Sequence, residues 1–89
     1  MTNLQHLSLA ENYLTRIQNL DTMRTLTSLC LSDNRIKRLE NLNLPQLVNL
    51  DVSYNKIAVL ENLSKLKKLE NLNLSYNLLT EAGVSGKAY

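Results

Sequence analysis

The sequence predicts an α/β-type solenoid of about four repeats, with short parallel strands along a concave face and 3₁₀-like turns along a convex one. Three observations carry that reading. A nine-residue pattern recurs as LQHLSLAEN from Leu4 to Asn12, LTSLCLSDN from Leu26 to Asn34, LVNLDVSYN from Leu47 to Asn55 and LENLNLSYN from Leu69 to Asn77, at steps of 22, 21 and 22 residues. A fixed period of this kind marks stacked supersecondary units, none of which buries its apolar face alone. Inside each block apolar and polar residues alternate, and between blocks apolar residues return at every third position.

The alternating pairs are Leu7/Leu9, Leu29/Leu31, Leu50/Val52 and Leu72/Leu74, the period of a short strand buried on one side. All four blocks fit LxxLxLxxN with one conservative change, at Val52. Parallel strands need a crossover back to the same end of the sheet. The first crossover carries Leu14, Ile17, Leu20 and Met23, and the third carries Ile57, Leu60, Leu63 and Leu66. A spacing of three fits 3₁₀-like turns better than the α-helical period. The middle crossover runs Ile36, Leu39, Leu42, Leu44, Pro45; its unit is one residue short, the deletion is expected here, and Pro45 forbids a regular helix. The stack is expected to occupy residues 1–79, with strand blocks 4–12, 26–34, 47–55 and 69–77, and residues 80–89 to form a divergent tail or truncated cap.

These units resemble the cytosolic leucine-rich repeats of about 22 residues typified by the nuclear regulatory subunit of type-1 protein phosphatase. The resemblance rests on the four blocks and on their extensions NRIKRLENL, from Asn34 to Leu42, and NKIAVLENL, from Asn55 to Leu63, and it covers residues 3–79. It is specific for fold. The family includes phosphatase regulators, axonemal and centrosomal proteins, tubulin-folding factors and a spliceosomal subunit, so it selects no single partner. After Asn77 the pattern breaks. Leu78 to Val84 looks like the more helical convex segment of ribonuclease-inhibitor repeats, and a disordered end is the alternative.

Composition excludes several classes. At 89 residues the chain is at most one domain, near the lower size limit for a self-sufficient core. A net charge of +2 with 20% charged residues fits neither a disordered tail nor a strongly basic nucleic-acid arm. The single cysteine, Cys30, permits no intramolecular disulfide and anchors no metal-binding set, so a reducing, cytoplasmic location and no cofactor are expected. No stretch approaches the roughly 18 apolar residues of a membrane helix. The sequons at Asn62 and Asn73 are read as chance in so Asn-rich a chain.

Among residues that suggest chemistry, the structural reading mostly prevails. The column Asn12, Asn34, Asn55, Asn77 follows each strand where a buried turn must satisfy its backbone groups, and an inward amide does so. By resemblance it is the asparagine ladder of the repeat. His6 is the only histidine, and no nucleophile or carboxylate arrangement is specified around it. Cys30 faces outward by alternation, and apart from His6 one repeat away no Lys, Arg or His at a neighbouring strand position is expected to activate it. The exposed strand face remains. One column reads His6, Ser28, Asn49, Asn71; the next reads Ser8, Cys30, Asp51, Asn73; the rim reads Glu11, Asp33, Tyr54, Tyr76. These twelve residues form the candidate partner-binding face, with the tyrosines as stacked anchors.

Charge is sorted along the chain. The four blocks contain Glu11, Asp33, Asp51 and Glu70 but no Lys or Arg, and all ten basic residues fall in the crossovers and tail. Two faces of opposite sign are expected, the concave one suited to a basic or donor-rich protein partner. The expected function is a protein-interaction scaffold of a cytoskeletal, ciliary or phosphatase-regulating assembly, without catalysis. The alternatives are a ribonucleoprotein subunit using the basic convex side around Lys65, Lys67 and Lys68, and a segment supporting a catalytic domain elsewhere. The absence of capping elements predicts a fragment of a larger protein, a partner covering the ends, or self-association through them.

Overall fold

The computed structural model describes residues 3–84. Four three-residue strands, β1 His6–Ser8, β2 Ser28–Cys30, β3 Asn49–Asp51 and β4 Asn71–Asn73, form one parallel sheet in the order β1-β2-β3-β4. The register aligns Leu7, Leu29, Leu50 and Leu72 in one row across the sheet. Backbone pairing runs past the strands: Leu9 N–H donates to Cys30 O, Leu31 to Asp51 O and Val52 to Asn73 O, at 2.8, 2.7 and 3.0 Å. The strands are thus the centres of longer extended segments that match the nine-residue blocks.

The crossovers form no helix among units one to three of the described residues, and their turns bond three residues back, the 3₁₀ pattern. Met23 N–H donates to Leu20 O and Leu26 to Met23 O; Leu66 donates to Leu63 O and Leu69 to Leu66 O. The middle crossover keeps one such bond, Leu47 N–H to Leu44 O. The first of the paired turns is the one the shorter unit gives up, between Leu42 and Leu44. After the fourth block comes the one helix of the described residues, α1 Glu81–Val84. It packs on the third crossover through Leu60 N–H to Gly83 O, 2.9 Å. The helical reading of Leu78 to Val84 therefore holds for α1, while the last five positions of the tail lie outside the described residues.

The core is a row of aliphatic side chains concentrated in the inner units. Leu26, Leu29, Leu31, Ile36, Leu39, Leu44, Leu47, Leu50, Val52 and Ile57 are all 2% exposed or less. Their equivalents at the two ends, Leu7 and Leu9 or Leu72 and Leu74, are only partly buried. At about 1.5–3 kcal/mol for each fully buried aliphatic chain, the inner repeats carry most of the stabilisation.

Candidate interaction surfaces

The strand register turns the two predicted columns into a surface. His6, Ser28, Asn49 and Asn71 stand side by side, as do Ser8, Cys30, Asp51 and Asn73. Together with Glu70 they line a concave groove of about 770 Å³. Its side chains bond along the columns: Asn71 Nδ2 donates to Asn49 Oδ1 at 2.6 Å and Asn49 Nδ2 to Ser28 Oγ at 3.1 Å. Cys30 Sγ lies 3.3 Å from Ser32 Oγ and 4.0 Å from Asp51 Oδ2. Asp51 and Asn73 have a second task, each accepting the backbone N–H two residues on, at Ser53 and Ser75, which fixes the strand exit. The groove's carboxylates are Asp51 and Glu70, and no Lys or Arg lines it.

The rim residues do not join that groove. Glu11, Asp33, Tyr54 and Tyr76 adopt φ of 59, 57, 55 and 57°, the left-handed region, and swing each side chain over the edge of the sheet. Asp33, Tyr54 and Tyr76 line a second, smaller groove of about 410 Å³ with Tyr13, Arg35 and Lys56. Tyr54 and Tyr76 stack with centroids 4.4 Å apart and planes 7° from parallel. The Arg35 guanidinium sits 4.7 Å above the Tyr13 ring. The single face read from the sequence is therefore two surfaces meeting at the left-handed corner. Tyr13, Arg35 and Lys56 were missed because the column after each ladder Asn mixes residue types; its regular spacing was the available signal.

The ladder is structural. Asn34 Nδ2 donates to Leu9, Leu31 and Ser32 carbonyls at 3.0, 3.0 and 3.2 Å while its Oδ1 accepts Leu14 N–H at 3.0 Å. Asn55 repeats the arrangement with Leu31, Val52, Ser53 and Ile36. Asn77 Oδ1 accepts from Ile57 N–H, whereas Asn12, exposed at the first unit, bonds only to Leu9 and Ala10 carbonyls. A second Asn row runs along the crossovers, unread in the sequence: Asn19, Asn41 and Asn62 have φ of 62, 56 and 60°. Asn41 Nδ2 donates to Ile17 O at 2.7 Å and Asn62 Nδ2 to Leu39 O at 2.8 Å. The Asn-Leu pair at equal spacing was its sequence signal, obscured at Asn62 by the sequon.

The expected separation of charge needs correction. Two crossover acids neutralise crossover bases: Arg16 Nε lies 3.3 Å from Glu40 Oε2 and Arg38 Nε 3.6 Å from Glu61 Oε2. Arg35 and Lys56 stand at the rim beside Asp33. The acidic concave groove persists, but the convex side is mixed. Among the described residues no cluster of His, Cys, Asp or Glu could hold a metal ion, and no helix is long and apolar enough to cross a membrane.

A family model described as leucine-rich repeats, two copies, matches residues 24–62 and again residues 45–85. The parallel four-strand sheet and the matched span of 24–85 agree, and the chain belongs to the leucine-rich repeat family. A comparison with curated proteins finds no match. Repeats of this family generally mediate protein–protein interaction and are typically non-catalytic modules.

Proposed function

We propose that this chain is a non-catalytic scaffold that holds a basic or donor-rich protein segment against its concave strands. The observation that supports it most is the groove itself: four strands align polar side chains around Asp51 and Glu70, and no cation lines the surface to neutralise them. Such a field steers a cationic partner and raises its association rate. A reducing cytoplasmic setting, with cytoskeletal, ciliary or phosphatase-regulating assemblies as the context, belongs to the same proposal.

The test pairs Asp51→Asn with Glu70→Gln, keeping size and, at position 51, the acceptor that holds Ser53 N–H. Association of a Lys/Arg-rich helical peptide, followed by fluorescence anisotropy, should slow and lose part of its salt dependence relative to the parent. The control carries Lys67→Gln and Lys68→Gln on the convex side. Loss of binding in the control alone, or RNA binding lost there with steep salt dependence, would replace this reading with the ribonucleoprotein one.

A further inference from the structure

The first two crossovers carry a basic cluster that plays no part in the concave reading. Thr15, Arg16, Lys37, Arg38 and Glu40 line a pocket of about 250 Å³ that shares no residue with the concave groove or the rim groove. The backbone under it is tied at both ends of each dipeptide. Leu14 O and Ile17 O, which bracket Thr15 and Arg16, accept from Arg35 N–H and Asn41 Nδ2 at 2.8 and 2.7 Å. Ile36 O and Leu39 O, which bracket Lys37 and Arg38, accept from Lys56 N–H and Asn62 Nδ2, both at 2.8 Å. Cations at these positions are confined to the first two units: the third holds Ala58 and Val59 there, the fourth Thr80 and Glu81.

The two guanidinium groups are braced but not used up. Arg16 Nε meets Glu40 at 3.3 Å and Arg38 Nε meets Glu61 at 3.6 Å, and the acids are 19 and 30% exposed against 62 and 63% for the arginines. The carboxylates therefore sit deeper and the guanidinium heads project. Among the described residues no hydrogen bond engages either Nη pair, the Thr15 hydroxyl or Lys37 Nζ. Three cations against one carboxylate leave the pocket two charges positive, which matches the charge of about −1.5 to −2 on a phosphomonoester at pH 7. We propose that this pocket binds the phosphate of a phosphorylated serine or threonine in a protein partner. The Nη groups of Arg16 and Arg38 supply charge-assisted bonds to its oxygens, and Lys37 and Thr15 supply the remaining donors. A phosphodiester chain fits less well. It needs a continuous cationic track with stacking rings, whereas these columns lose their cations at Ala58 and Val59 and no aromatic residue lines the pocket. Repeats of this family generally mediate protein–protein interaction, so a phosphorylated protein segment is the matching source.

Titrating the chain with a neutral alanine–glycine peptide bearing one phosphoserine, followed by amide and arginine side-chain chemical shifts, tests the assignment. Saturable shifts are expected at Thr15, Arg16, Lys37 and Arg38. The unphosphorylated peptide should produce none, and a peptide with glutamate in place of phosphoserine should bind about tenfold more weakly or worse. Lys37→Gln with Arg38→Gln removes exposed charges and one surface ion pair, so its melt should stay near the parent's while phosphopeptide binding falls by about tenfold or more. Lys67→Gln with Lys68→Gln deletes the same charge from the third crossover and should change the affinity by less than about twofold. Asp51→Asn with Glu70→Gln should not weaken it, which separates this pocket from the concave groove. The proposal is overturned if the phosphopeptide fails to bind, if either comparison peptide binds equally, or if the Lys37 and Arg38 variant binds as the parent does. It is overturned as well if the Lys67 and Lys68 variant loses as much, or if oligouridylate at equal phosphate concentration displaces the phosphopeptide.

Discussion

Replacing Asn55 by Ala tests the internal hydrogen-bond ladder at its most enclosed rung, and the cost can be worked group by group. Asn55 is 7% exposed and makes three donor bonds and one acceptor bond. The three carbonyls it serves each keep a second donor: Leu31 O from Asn34 Nδ2, Val52 O from Asn77 Nδ2 and Ser53 O from Asp33 N–H. Ile36 N–H has no such reserve, and Ile36 is fully buried. One orphaned buried donor costs about 1–3 kcal/mol, and the weakened carbonyls push the total toward the upper end. With a urea m-value of about 1 kcal/mol/M for a chain this short, the unfolding midpoint should fall by about 2 M. Circular dichroism against urea reads this directly. Asn12→Ala is the internal standard, since an exposed amide bonding two carbonyls should cost under about 0.5 kcal/mol. Coincident midpoints for Asn55→Ala, Asn12→Ala and the parent would refute the assignment of the buried rung. Asn55→Asp sharpens it: the acceptor for Ile36 N–H survives, but a carboxylate faces three carbonyl oxygens. Its folded-state pKa is then raised, so destabilisation should grow as pH climbs above about 4.

Other perturbations probe separate parts of the fold. Gly83→Ala would drive a Cβ into the Ala58 carbonyl oxygen, so α1 should lift from the third crossover, and hydrogen exchange at Leu60 N–H should accelerate about tenfold or more. Asn41→Ala removes both a side chain suited to φ 56° and the bond to Ile17 O, for about 1–2 kcal/mol in thermal melts, and Asn41→Gly should recover only the conformational share. Arg16→Gln, at an ion pair whose side chains are 62 and 19% exposed, should shift stability by under about 1 kcal/mol, less still in added salt. Sedimentation over a concentration series should reveal self-association, because Leu72 and Leu74 at one flank and Leu7 and Leu9 at the other are only partly covered.

The period made most of the architecture legible before any coordinates. Leu-x-Leu placed each strand centre, the threefold spacing of Leu20, Met23 and Leu26 anticipated turns bonded three residues back, and Tyr54 and Tyr76 at equal positions in successive units implied their stack. What was hidden was backbone hand. Simple alternation carries a strand's facing through positions 11, 33, 54 and 76, whereas a left-handed residue at each breaks it and turns the side chain onto another surface. The pairing of Tyr13 with Arg35 joins unlike residues in successive repeats, so no repetition of type announces it. Asn19, Asn41 and Asn62 serve backbone carbonyls rather than solvent, a role that composition alone does not distinguish from a polar linker.

Because each strand touches only its sequence neighbours, the molecule behaves as a linear array whose free energy is a sum over adjacent pairs. No contact bridges β1 to β3 or β4, so the outer units open independently while the two inner ones persist. A ligand lying across all four rows would act as a fifth, transverse element that couples openings otherwise uncorrelated. Binding should then appear first as slowed hydrogen exchange in the outermost rows, far from the residues that supply most of the affinity.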